Sequence, residues 1–263
     1  MTGPAGPPHA APPPPPPPPR TLLVSIASST GLVREHNEDA VGLNGFTLQG
    51  DTPRSLHLAL PLNQPQAVVV CDGMGGHAGG AEASSIAAQR TSSLPESGIY
   101  DEETVRSLYQ RVADELNDLS DRYPDLHGLG TTVAAAYVRI DGSVLVANVG
   151  DARAYGMESG YEAQLTVDHR NPGTGGLTQA LGGGRRVVLS PTFYPTVIDE
   201  SGIVLCSDGI WEYAGPDAVG TELARTDTPV PLPDRLVQLA LAGGGGDNAT
   251  AVHLRLAPVR PQP

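Results

Sequence analysis

The order of apolar patterns along the chain predicts an α+β fold, with antiparallel sheets covered by pairs of helices. Three observations predict it. β-rich runs follow one another and are interrupted by helices in blocks, without the strand–helix alternation of a parallel sheet. The run QAVVVCD, residues 66–72, is apolar almost throughout, as in a strand covered on both faces. TTVAAAYVRIDGSVLVANVG, residues 131–150, is two such runs joined by Asp141-Gly142, the strongest short hairpin signal.

Taken in order, the elements follow from local patterns. Residues 1–20 hold eight consecutive prolines, Pro12 to Pro19, which enter neither a ladder nor a helix and favour extended polyproline II. This segment is expected to be a disordered tail outside the fold; it reads as a spacer, or as a ligand for a partner's aromatic-lined groove. The domain is expected over 21–257, with a second disordered tail at 258–263. TLLVSIAS opens it as a strand. Residues 47–66 are longer than a tight hairpin needs and read as a surface loop. Ala81–Leu94 and Glu102–Leu119 are helical. The second places Val105, Leu108, Val112, Leu116 and Leu119 on one face, with Asp101 as its N-cap. ARAYGM and YEAQLTV suggest another hairpin. SGIVLCSDG is a strand running into Asp-Gly. Asp217–Arg225 and Asp234–Ala242 are short helices, and ATAVHLRL alternates as a closing strand.

Composition narrows the function. The net charge of −13 disfavours a nucleic-acid surface and an anionic membrane. All 16 basic residues are arginine, which removes every mechanism built on a catalytic or phosphate-binding lysine. Cys71 and Cys206 lack zinc-site spacing and read as buried thiols. No apolar run is long enough to span a bilayer, and the N-terminal residues lack a signal-peptide pattern. The cytoplasm is the expected address.

Chemistry concentrates where apolar runs stop. VVVC ends in Asp72-Gly73, IVLC leads to Asp208-Gly209, and LVANVG to Asp151. GGGG precedes Asp247-Asn248, and Glu38-Asp39 opens another β-rich run. The glycines after Asp72 do not have the spacing of a nucleotide-binding loop. Singly, each Asp-Gly is a turn. Gathered at one rim, the carboxylates repel; two unit charges 4 Å apart cost about 4 kcal/mol at an effective dielectric near 20. A divalent cation converts that repulsion into coordination, and an oxygen-only set selects Mg²⁺ or Mn²⁺ over zinc.

These residues sit in segments with a recognisable order: GLVREHNEDA (31–40), VVVCDGMGGHAGGAEAS (68–84), GLGTTVAAAYV (128–138), VANVGDARAY (146–155), LTVDH (165–169), LTQALGG (177–183), IVLCSDGIWE (203–212) and GGGGDNATAV (243–252). The chain resembles the PPM family, the type 2C metal-dependent protein serine/threonine phosphatases, in its compact bacterial form. The resemblance implies a four-layer α-β-β-α sandwich and a two-metal site at one end. By position, Asp72 would bridge the two metals. Asp208 and Asp247 would hold the first, and the Gly73 carbonyl the second, with Glu38 supporting it through water. Asp39 would orient water or Arg34. Asp151, with Asp208, would hold a weaker third cation, unless it ties down Arg153 or a hairpin backbone. Arg34 would grip phosphate with its planar fork, its plainer reading being a surface salt bridge. His77 is a candidate general acid, or packs the glycine turn. Asn248, Trp211, Tyr213, His36, His169 and Glu82 read as structural. Substrates would be phosphorylated proteins, the products of Ser/Thr kinases. Two alternatives stay open: a catalytically silent binding module, and a phosphatase for small phosphoesters.

One departure stands out. Between LTVDH and LTQALGG the chain has only RNPGTGG, residues 170–176, too short for the helical flap of many bacterial relatives. The resemblance then implies an open site and a weakened third cation position.

Overall fold

The structure is a computed structural model that describes residues 20–74, 78–95, 98–184, 186–215, 217–225 and 228–257. The proline run, the residues from 258 onward and His77 lie outside the described residues. Arg20, assigned above to the tail, belongs to the fold: its carbonyl accepts from Leu62 N at 2.9 Å and its guanidinium donates to Asp141 O at 2.8 Å.

In chain order the strands are β1 (Thr21–Ser29), β2 (Asp39–Leu43), β3 (Phe46–Gln49), β4 (Leu56–Pro61), β5 (Gln66–Met74), β6 (Gly130–Thr131), β7 (Val133–Val138), β8 (Ser143–Val149), β9 (Arg153–Glu158), β10 (Tyr161–Gln164), β11 (Leu181–Gly182), β12 (Thr192–Val197), β13 (Ile203–Cys206) and β14 (Ala249–Leu256). The helices are α1 (Ala78–Ser92), α2 (Glu102–Arg122), α3 (Asp208–Ala214), α4 (Ala218–Ala224) and α5 (Leu232–Ala242). One sheet runs β10-β9-β13-β14-β1-β4. The other runs β11-β6-β5-β7-β8-β12, with β2 on β5 and β3 on β2. Each of these pairings is antiparallel.

The apolar runs are continuous because both faces of these strands are covered. In β5, Val68 and Val70 face the other sheet, while Ala67, Val69 and Cys71 face α1 and α2. In β14, Val252 and Leu254 point between the sheets, and Ala249 and Ala251 point at α3, α4 and α5. The period-2 alternation thus separates two apolar layers instead of core from water. The outcome is the α-β-β-α sandwich. Cys71 and Cys206 are free and buried under opposite helix layers, and burial pushes both thiols up. Gly42 lets α1 lie close on β2; a Cβ there would meet the Ala88 carbonyl oxygen at 2.1 Å.

Details differ from the sequence reading. Residues 47–66 are not simply a surface loop: they supply β3 and the edge strand β4, which pairs with β1. The Leu56-Leu58-Leu60 alternation carried that signal, but its leucines at 56 and 58 stay largely exposed at the sheet edge. Asp101 caps α2 as expected, accepting from Thr104 N at 2.8 Å. The Asp141-Gly142 turn closes β7 on β8, with Gly142 at φ +86°. The strand β12 and the helix α3 were not read from the sequence. Among the described residues no helix is long and apolar enough to cross a membrane.

Leu254 is fully buried between the sheets. Leu254→Ala should lower the unfolding free energy by about 2–5 kcal/mol, read as an earlier urea midpoint with an unchanged slope. A loss well under 1 kcal/mol would contradict the packing described.

Candidate active site

Antiparallel pairing brings the carboxylates together. β5 ends where β2 begins, so Asp72 and Asp39 are directly opposed in register. β13 ends beside the start of β14, which brings Asp208 near the loop holding Asp247. β8 ends beside the start of β7 and leads through Gly150 to Asp151. Arg34, Glu38, Asp72, Gly73, Asp151, Asp208 and Asp247 all line one cavity of about 480 Å³, together with Thr132, Arg170 and Asn248. Asp39 lies beneath it, 1% exposed. Of the residues predicted, only His77 falls outside the described chain.

The neighbourhood is held by backbone and amide contacts. Asn248 Oδ1 accepts from Glu38 N at 2.8 Å, and its Nδ2 donates to Thr30 O and His36 O at 2.9 Å each. That one amide fastens the Arg34–Glu38 segment to the Asp247 loop, the orienting part read for it. Asp72 is anchored through its own peptide: its N–H donates to Thr132 Oγ1 at 3.2 Å, and its carbonyl accepts from Thr131 Oγ1 at 2.8 Å. Gly73 and the helical Gly80 touch. A Cβ on Gly73 would lie 2.2 Å from the Gly80 carbonyl oxygen, and one on Gly80 would lie 2.2 Å from Glu38 Oε2. This is why a carboxylate-bearing strand runs into glycines: only bare backbone lets α1 approach the strand end and leaves room for Glu38.

Charge at the rim is unbalanced. Burial, then the facing Asp39, Asp208, Asp151 and Asp247 carboxylates, hold Asp72 well above the usual carboxylate range. Burial, then Asp151, Glu212 and Asp247, push Asp208 up to about 7. Burial is also the main cause that pushes Asp39 up to about 6. Asp39 Oδ2 accepts from Ser207 Oγ at 2.7 Å, and its Oδ1 is buried without a hydrogen-bond partner. An orienting contact from Asp39 to water or to Arg34 was expected; the hydrogen bond it makes here is to Ser207.

Two arginines reach the acids. Arg34, with its side chain 54% exposed, pairs with Asp247 at 2.6 Å. Arg170 was not singled out in the sequence. It pairs with Asp151, with Asp208 at 2.9 Å and with Glu212 at 2.6 Å. Arg153 does not pair with Asp151; it forks onto Asp168 and stacks 3.5 Å over the Trp211 ring. Trp211 in turn donates to the Asp151 carbonyl at 3.2 Å, more than the packing role read for it. His169 is structural, its Nδ1 accepting from Gly150 N at 3.0 Å. Segment 170–176 is a tight turn without a helix, closed by an Arg170–Leu177 bridge and by Asn171 N donating to Gly176 O at 2.8 Å.

Among the described residues, no group of three His, Cys, Asp or Glu side chains is drawn together closely enough to hold an ion. The donor chemistry nonetheless fits a hard divalent cation. Buried carboxylates from remote strand ends, the Asp39 oxygen without a hydrogen-bond partner and the carbonyl-lined Gly73 cradle put an excess of negative charge and oxygen donors around Asp72.

Comparison with known proteins finds serine/threonine phosphatases among the relatives of the chain. The sequence profile of the protein phosphatase 2C family matches residues 53–172. The chain is 29% identical to the serine/threonine phosphatase stp of Listeria monocytogenes, over 84% of this chain and 91% of that one. It is 28% identical to the serine/threonine protein phosphatase PstP of Mycobacterium tuberculosis, over 86% of this chain but 43% of that longer protein. Among solved structures, the serine/threonine phosphatase Stp1 of Staphylococcus aureus superposes with a TM-score of 0.71 at 27% identity, covering 88% of this chain and 94% of that one.

The raised acids predict how pH acts on the metal-free protein. A carboxylic acid whose folded pKa exceeds its unfolded value stabilises the fold while protonated, and that stability is lost as pH rises through the folded pKa. His253, pushed down to about 4 chiefly by burial, and His169, lowered by burial, act in the opposite direction, but only below their ordinary value of 6.5. Above that value the acids dominate. In EDTA the melting temperature should fall by several degrees between pH 6.5 and 8, and saturating Mn²⁺ should flatten the slope. A melting temperature that rises over this interval in EDTA would contradict the charge balance described.

Proposed function

Because the chain belongs to the protein phosphatase 2C (PPM) family and is a protein phosphatase, we propose that it hydrolyses phosphoserine and phosphothreonine in proteins with two divalent cations, Mn²⁺ or Mg²⁺. The observation that carries this reading is the convergence of Asp72, Asp208, Asp247 and Glu38 on one cavity with Arg34 at its mouth.

Asp72, Asp208, Asp247, the Gly73 carbonyl and, at one remove, Glu38 would hold the cations. When bound, these supply a nucleophilic water near neutral pH and neutralise charge on the phosphoryl oxygens. The chain's own part is positioning. Arg34 is half-exposed and has one carboxylate partner, so its fork can turn to two phosphate oxygens at little desolvation cost. Asn248 fixes the backbone of that segment, so the guanidinium starts from a defined place. Thr131 and Thr132 hold the Asp72 peptide, which keeps the strand end from fraying under repulsion. Asp39 sits opposite Asp72 and maintains negative potential beneath the site. His77, as general acid, would protonate the departing serine or threonine oxygen.

Among the described residues the 170–176 turn carries no helix, and its Gly175 and the following Leu177 line the cavity. That shape suits a phosphorylated side chain on a protein surface, and it also leaves small phosphoesters as substrates. Such a phosphatase would reverse Ser/Thr kinases in the cytoplasm. The net charge of −13 leaves nucleic acid an unsuitable partner.

The test is hydrolysis of p-nitrophenyl phosphate and of a phosphothreonine peptide with and without Mn²⁺, beside Asp72→Ala. Turnover should need the metal, and Asp72→Ala should lower kcat by on the order of 10²–10³-fold or more. Metal-independent turnover, or an active Asp72→Ala, would sink the reading. Better hydrolysis of sugar phosphates than of the peptide would move it to small esters.

Arg34→Ala should remove charge-assisted bonds worth about 1.5–3 kcal/mol, lowering kcat/KM roughly 10–150-fold. An unchanged kcat/KM would return Arg34 to an ordinary surface ion pair.

A further inference from the structure

We propose that Arg170 is a built-in cation occupying the seat between Asp151 and Asp208, so that this enzyme binds two divalent ions and excludes a third. The inference rests on the metal-dependent reading above.

Each of the three guanidinium nitrogens is committed to a different carboxylate. Nε goes to Asp151, one terminal nitrogen to Asp208 at 2.9 Å, and the other to Glu212 at 2.6 Å. Asp151, Asp208 and Arg170 line the same cavity as Asp72 and Asp247, so the guanidinium lies within the reacting site. Its carbon also rests 4.9 Å from the centre of the Trp211 ring, and that indole donates to the Asp151 carbonyl. Arginine, ring and aspartate thus form one unit.

The backbone around Arg170 is equally fixed. The preceding His169 exchanges hydrogen bonds with Gly150: its N–H donates to the Gly150 carbonyl at 2.8 Å, and its ring accepts from Gly150 N at 3.0 Å. Arg170 is therefore tied to the turn that carries Asp151. On its other side it bridges Leu177 across the short 170–176 turn. The short turn, closed by that bridge and by Asn171 N donating to Gly176 O, holds it in place.

A third ion would have to take Asp151 and Asp208 from a cation that already satisfies both. Expelling the guanidinium would also strip Glu212 of its partner and unstack the arginine from Trp211. A guanidinium keeps its charge at any pH the protein survives, so the seat stays filled regardless of metal supply. Three of the five N–H donors of Arg170 already point at fixed carboxylates, so phosphate gripping falls to Arg34, which has one carboxylate partner at hydrogen-bond distance.

The experiment counts bound Mn²⁺ by equilibrium dialysis with elemental analysis, and by calorimetric titration, at millimolar free metal. Wild type should bind two ions, and Asp151→Asn should still bind two. Arg170→Ala should bind a third, and Arg170→Ala/Asp151→Asn should lose it again. Three ions on wild type, falling to two in Asp151→Asn, would overturn the proposal. So would an Arg170→Ala that remains at two. If Arg170→Ala fails to fold by circular dichroism, the comparison of wild type with Asp151→Asn decides alone. A wild type that binds no ion would instead overturn the metal-dependent reading on which the proposal stands.

Discussion

Mutual repulsion of buried carboxylates is the constraint on which this molecule turns. Asp39, Asp72, Asp151 and Asp208 are all pushed towards the protonated form, chiefly by burial, with neighbouring carboxylates adding to the effect. No single strand could hold such charges together. The sandwich does so because its strands are locked by apolar contact on both faces, and their ends cannot retreat without opening two packed layers at once. The acidic rim therefore draws its rigidity from residues with no chemistry of their own, such as Val68, Val70 and Leu254.

Against that repulsion the chain sets two arginines in opposite conditions. Arg34 is half-exposed and has one carboxylate partner. Arg170 sits among three carboxylates against an indole. A planar fork permits both, since it can turn one edge to a passing anion or set each of its nitrogens against a fixed one. What separates an arginine open to a further anion from one held by the protein is how many of its nitrogens are already taken.

Much of this was legible before any coordinates. The strand ends announced themselves because apolar runs stop at Asp-Gly or at a bare Asp. The continuous character of QAVVVCD was a direct sign of cover on both faces. Asn248 read as an orienting residue and makes three bonds of that kind. What stayed hidden needed the third dimension. Arg170 lies in a Pro- and Gly-rich turn that looks like filler, and Glu212 is one more acid in an acidic chain. Only the fold shows that they meet at Asp151. The strand β4 escaped because it is an edge strand: Leu56 and Leu58 share the face of the buried Ile26 and Val24 opposite them, but the sheet ends there and leaves them partly exposed. Asp39 was placed in the right motif, but the Ser207 hydroxyl that it bonds is 168 positions away.

The pairing of β1 with β14 has a further architectural consequence. These antiparallel neighbours run from Leu22 against Leu256 to Ser29 against Ala249, and Ala257 N donates to the Thr21 carbonyl at 2.8 Å. Ser29 and Ala249 lie at the end that holds the acidic cavity, so the entry to β1 and the exit from β14 share the far pole, roughly 30 Å away by strand rise. Thr21 and Ala257 therefore stand together at the pole opposite the acidic cavity. The first and last strands of the fold thus close on each other at that pole, and the acidic cavity is left at the opposite one.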